Sequence, residues 1–101
     1  MKPGMDRARQ EIERLVDSDD ITAGMLVRVR GENIILARSE EASSGEAVVD
    51  DRVRLTRLGA SQWGLSVMRH NGRWQRTPFS GSLREVMDAV CTFMQHLVAP
   101  Y

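Results

Sequence analysis

The sequence predicts an α+β domain with an N-terminal helix, a five-stranded antiparallel sheet built from hairpins, and a C-terminal helix packed on the sheet. Apolar residues recur at steps of three and four near both ends of the chain and at steps of two in between, the periods of a helix face and of a strand face. Gly31-Glu32 and Asn71-Gly72 interrupt alternating runs with the two residues that a tight hairpin needs. The length of 101 residues suits one domain, taken as 1–101, and Leu, Ile, Val and Phe supply 24 of them, enough for a folded core.

The first helix is predicted over Met5 to Val16, where Met5, Ala8, Ile12, Leu15 and Val16 share one face. Arg7 with Glu11 and Arg9 with Glu13 are i, i+4 neighbours among its charged residues. Asp17-Ser18-Asp19-Asp20 ends the helix, because short polar side chains compete for its backbone. Val27 and Val29 then alternate with Arg28 and Arg30, and a turn at Gly31-Glu32 sets Val29 opposite Ile34 and Val27 opposite Leu36 on one face. The stretch 40–51 carries Glu40, Glu41, Glu46, Asp50 and Asp51 around Ser43-Ser44-Gly45 and reads as a mobile acidic loop.

Strands follow at Arg52 to Leu58, Trp63 to His70 and Arg73 to Phe79, the last two joined at Asn71-Gly72. A two-residue turn there puts Arg69 opposite Trp74 and Val67 opposite Arg76, so Trp63, Leu65, Val67 and Trp74 share a face with Arg69 and Arg76. Ser82 and Glu85 have the spacing of a capping box, and the helix they open runs to a stop at Pro100. Its apolar residues cover more than one stripe. With Leu83, Val86, Val90, Phe93 and Leu97 on the sheet, Met87, Cys91, Met94 and Val98 form a second row, expected to be exposed and to pair with another copy as a homodimer.

Charge is unevenly divided although the formal total is zero. Met1 to Asp51 holds seven basic and twelve acidic residues, and Arg52 to Tyr101 holds seven Arg against only Glu85 and Asp88. Between Arg52 and Arg84 there is no acidic residue, and both Trp lie in that segment. Such asymmetry bears on association rather than on fold. The acidic half can neutralise the basic half within the domain, or the basic half can meet an outside partner.

Several classes of chemistry lack their residues. No apolar run approaches the roughly 20 residues of a membrane helix, and a lone Cys91 without a signal-peptide pattern points to the reducing cytoplasm. Two His and one Cys give no zinc pattern, and no Gly-rich phosphate loop opens a helix, so no metal or cofactor is expected. Cys91 lies among Val90, Phe93 and Met94 and reads as a small core hydrophobe rather than a nucleophile. No catalytic constellation is found.

What the residues do favour is binding. Arg54, Arg69, His70, Arg73, Trp74 and Arg76 are the candidate partner surface, with Arg73 foremost beside the turn, Arg as the charge partner and Trp74 as the stacking or apolar anchor. The order of elements resembles that of small bacterial domains such as the secretion chaperones. The reading is thus a small bacterial-type, non-catalytic binding or regulatory module, self-associating, whose Arg/Trp hairpin engages an acidic protein segment. The alternative is single-stranded nucleic-acid binding, in which bases stack over a basic groove.

Overall fold

The computed structural model describes residues 4–41 and 43–98. Along them run α1 (Gly4–Asp17), β1 (Leu26–Arg30), β2 (Asn33–Glu41), β3 (Ala47–Gly59), β4 (Gln62–Met68), β5 (Trp74–Gly81), α2 (Leu83–Phe93) and α3 (Gln95–Val98). The strands form one antiparallel meander in the order β1-β2-β3-β4-β5. The helices pack on one face of it, which makes a two-layer α+β fold of the kind the sequence predicts.

Each element has a local cause. α1 buries Met5, Ala8, Ile12 and Val16 at helical spacing and carries the Arg9–Glu13 pair at 3.1 Å on its outer side. It stops where Ser18 turns its hydroxyl back to the Leu15 carbonyl at 2.8 Å and Asp19 Oδ1 accepts the Ile21 N–H at 2.8 Å. Thr22, fully buried, donates its hydroxyl to the Val16 carbonyl at 2.8 Å and so closes the helix end. At α2 the capping box forms: the Glu85 N–H donates to Ser82 Oγ at 3.2 Å and the Ser82 N–H donates to Glu85 Oε1 at 3.0 Å. Those contacts with Ser82 hold the Glu85 carboxyl below its usual range.

The core lies between the helices and Ile34, Leu36, Val53, Leu55, Trp63, Leu65 and Val67 of the sheet. Ile12, Ile34, Leu36, Leu55 and Leu65 are fully buried, each contributing roughly 1.5 to 3 kcal/mol relative to an exposed side chain. Arg38 closes one end of this core at 6% exposure. It donates from Nε to the Val98 carbonyl at 2.8 Å, from Nη1 to Ala23 at 2.8 Å and from Nη2 to Ile21 at 2.7 Å. Arg52 adds a hydrogen bond from Nη1 to the Leu97 carbonyl at 2.8 Å, so two strand arginines hold α3.

The β1–β2 register is the one read from the sequence, with Val29 opposite Ile34 and Val27 opposite Leu36. Three other expectations are corrected. The segment 40–51 is largely strand: β2 pairs with β3 out to Glu41 opposite Ala47, past a bulge at Leu36/Ala37. Its acidic residues sit on a long hairpin because backbone pairing continues regardless of side-chain charge; Ala42 lies outside the described residues.

The β4–β5 hairpin is offset by one residue from the two-residue turn. Met68 pairs with Trp74, Val67 with Gln75 and Ser66 with Arg76. The turn is wider, closed by the Arg69 N–H donating to the Arg73 carbonyl at 2.9 Å and the Gly72 N–H to Arg69 at 2.9 Å. With a side-chain period of two, that offset sends Trp74 away from Trp63, Leu65 and Val67 to the opposite face.

The row expected to pair with a second copy is used inside the chain. Met87, Met94 and Val98 are only 3%, 7% and 0% exposed, and Cys91 is half-buried. α1 lies against α2 and takes the apolar arc that the sheet leaves over. The helix also breaks at Met94 before α3, which turns the last residues inward, whereas Phe93 is 63% exposed and stacks on Phe79 at 5.5 Å. Pro100, read as the stop signal, lies outside the described residues.

Candidate binding surface on the open sheet face

The face of the sheet opposite the helices starts from alternation. On β1 the residues between Val27 and Val29 must point away from the core, which puts Arg28 and Arg30 outward. Register then carries a row across all five strands: Arg28 pairs with Ile35, Ile35 with Arg54, Arg54 with Ser66 and Ser66 with Arg76. Strands lie about 4.8 Å apart, so successive arginines of this row stand roughly 10 Å apart along it.

Ile35 and Ser66 are buried at 6% and 5% exposure, yet Ile35 belongs to no part of the helix-covered core. Long arginine stems and Trp74 therefore shield this face in place of a helix. The Arg54 guanidinium lies over the Trp74 ring, 4.9 Å from its centroid. Beside it a cavity of about 230 Å³ is lined by Arg54, Thr56, Gly64, Ser66, Trp74 and Arg76. Gly64 matters there: a Cβ would meet Leu58 Cδ1 at 3.2 Å and Arg76 Nη2 at 3.5 Å, so its bare backbone lets the Arg76 side chain lie down.

The electrostatics are graded. Arg28 is paired with Asp51, and Arg52 with Asp50 at 3.3 Å. Arg54 and Arg76 have no carboxylate partner among the described residues, and Arg54 Nε is buried without a hydrogen-bond acceptor. The acidic half thus neutralises the β1 side of the row and leaves the β3–β5 side positive.

Of the six residues singled out from the sequence, Arg54, Trp74 and Arg76 meet here. Arg69, His70 and Arg73 occupy the exposed turn instead. Arg69 and His70 line a separate shallow cleft with Asp50 and Asp51. Across the turn, Arg69 is the residue bonded to Arg73, and His70 lies within the turn itself. Sequence reasoning missed Arg28 and Arg30 as members of the surface. Their alternation with Val27 and Val29 was the available signal, once the strand is placed beside β2 rather than treated apart from the basic half.

Catalytic groups are sparse around this face. No group of three or more His, Cys, Asp or Glu among the described residues could hold a metal ion. The Cys91 thiol is pushed up to about 11, mainly by burial and then by the negative charge and hydrogen bond of Asp19, so it stays protonated at neutral pH. None of the helices among the described residues is long and apolar enough to cross a membrane.

Fold and surface together define a small two-layer domain whose meander sheet is helix-covered on one side and arginine-lined on the other. The chain belongs to the family described as Domain of unknown function (DUF3024), which it matches over residues 5–99. No curated protein and no solved structure matches it.

Proposed function

We propose that this domain is a non-catalytic binding module whose open sheet face takes an acidic segment of another protein. The observation that carries the reading is the Arg54–Trp74–Arg76 cluster on a sheet face that none of the helices among the described residues covers. A guanidinium stacked on an indole keeps its N–H edge free for a carboxylate, and the ring holds it in place. Because Arg54 already occupies one face of the Trp74 ring, a base stacking on that face would have to displace the guanidinium. That favours carboxylates over a single-stranded nucleic acid, the second reading. The same reading places the protein in the reducing cytoplasm, where Cys91 remains a thiol.

The test is a titration of the ¹⁵N-labelled chain with a Glu-rich peptide and, separately, with a mixed-sequence single-stranded oligonucleotide. The peptide is expected to shift amides of β3 to β5, and Arg54→Ala with Arg76→Ala to abolish those shifts while the turn variant Arg73→Ala leaves most of the affinity. Oligonucleotide affinity that falls steeply with salt, with no response to the peptide, would transfer the surface to the nucleic-acid reading.

A further inference from the structure

A second site lies where α1, the β3–β4 turn and the start of α2 meet and line a half-open cleft of about 460 Å³. Small-molecule sites occupy roughly 300 to 1,000 Å³ and combine apolar walls with a few convergent polar groups. Here the walls are Ala8, Trp63 and Leu83, all buried. The polar groups are Arg7 from α1, Arg57 from β3 and Arg84 from α2, none of which has an ion pair among the described residues. Glu11 is the one carboxylate among the lining residues, and it faces Arg14 at 4.0 Å. The Ser82 hydroxyl at the mouth is already engaged in capping α2.

Three like charges brought from three elements to one cavity repel one another, and an anion between them reverses the sign of that interaction. The geometry points to a binding site for a small organic dianion with a flat apolar body, such as a phosphate monoester or an aromatic dicarboxylate. The apolar wall separates this ligand from inorganic phosphate, which could use the arginines but would leave Ala8, Trp63 and Leu83 unfilled. The site is independent of the open sheet face, since it lies at the layer of helices and shares no residue with the Arg54–Trp74 cluster.

The experiment is an amide-shift titration of the full chain with phenyl phosphate, phthalate, inorganic phosphate and phenol at moderate salt. The two organic dianions are expected to bind, with shifts confined to the residues around Arg7, Ser61 and Arg84, and inorganic phosphate and phenol to bind at least tenfold more weakly. Whichever of phenyl phosphate and phthalate binds more tightly assigns the headgroup as phosphate or dicarboxylate. Arg7→Ala and Arg84→Ala, both at exposed positions, should each weaken binding about tenfold, the loss of one charge-assisted hydrogen bond. Ala60→Phe, in the turn, should block the cavity with the amide spectrum otherwise native. The proposal is overturned if neither organic dianion shifts these amides at millimolar concentration, if affinity survives Arg7→Ala combined with Arg84→Ala, or if inorganic phosphate binds as tightly as phenyl phosphate.

Discussion

Replacing Arg38 by Met keeps the aliphatic stem and removes the guanidinium that ties three segments together. The wild-type side chain satisfies the carbonyls of Ile21, Ala23 and Val98 at 2.7 to 2.8 Å from a position only 6% exposed. Each hydrogen bond from a charged donor contributes about 1.5 to 3 kcal/mol, and the sum is reduced because the mutant no longer desolvates a charge. A net loss of about 3 to 5 kcal/mol is expected, a large part of the roughly 5 to 15 kcal/mol that holds a domain folded. With a urea slope of about 1.5 kcal/mol per molar, the midpoint should fall by about 2 to 3 M. Arg38→Lys should recover less than half of this, since one ammonium cannot span three separated carbonyls. Amide exchange should show Met94 to Val98 losing protection first, before the sheet does. A midpoint for Arg38→Met within about 0.3 M of wild type would refute the reasoning.

Gly81 has φ +147° and a Cβ there would come within 2.9 Å of Glu85 Oε1, so Gly81→Ala should break the capping box and cost about 1 to 3 kcal/mol by thermal or urea unfolding. A cost no greater than that of Gly72→Ala, at φ +80° with nothing within 4 Å, would show that the cap contact is dispensable. Arg54→Ala and Trp74→Ala in a double-mutant cycle should couple by about 0.5 to 1 kcal/mol, and strictly additive effects would deny the stacked pair. Folding raises the Cys91 pKa from 9.0 to about 11, through burial first and Asp19 second. Its contribution to stability is therefore fully present below pH 9 and is lost as pH rises toward 11. Iodoacetamide should accordingly label the folded thiol about a hundredfold more slowly at pH 8 than an unperturbed thiol; equal rates in native and urea-unfolded protein would contradict the burial.

The elements whose cause is local were legible in the sequence. α1, the β1–β2 register and the capping box at Ser82 each depend on residues within a few positions of one another. What escaped reading depends on distant partners or on backbone alone. Glu40 to Asp51 carries loop-like charge, but β2 and β3 pair through it because the backbone ladder needs no apolar side chains. Asn71-Gly72 marks the turn correctly without fixing its width, and one residue of offset moved Trp74 from the core face to the open face. The arc of Met87 and Met94 looks surplus only while α1 is ignored. Of the candidate surface residues, Arg54, Trp74 and Arg76 lie together on one face, but their meeting with Arg28 in one row follows from strand order, which no single segment contains. Arg38 offered no signal at all, since an arginine in an alternating strand reads as solvated.

The meander has a kinetic meaning. Because every strand pairs with its neighbour in sequence, each step of sheet growth closes only a short loop and loses little chain entropy in doing so. The contacts that span the chain are those of the helical layer, where α1 meets α2 and the Arg38 side chain reaches a carbonyl sixty positions away. Bringing the two ends of the chain onto one side of the sheet is thus the step that closes the longest loops, whereas the sheet can zip locally. Once there, the ends act as a clasp, and the far side of the sheet is left to the cover of its own arginine stems and Trp74.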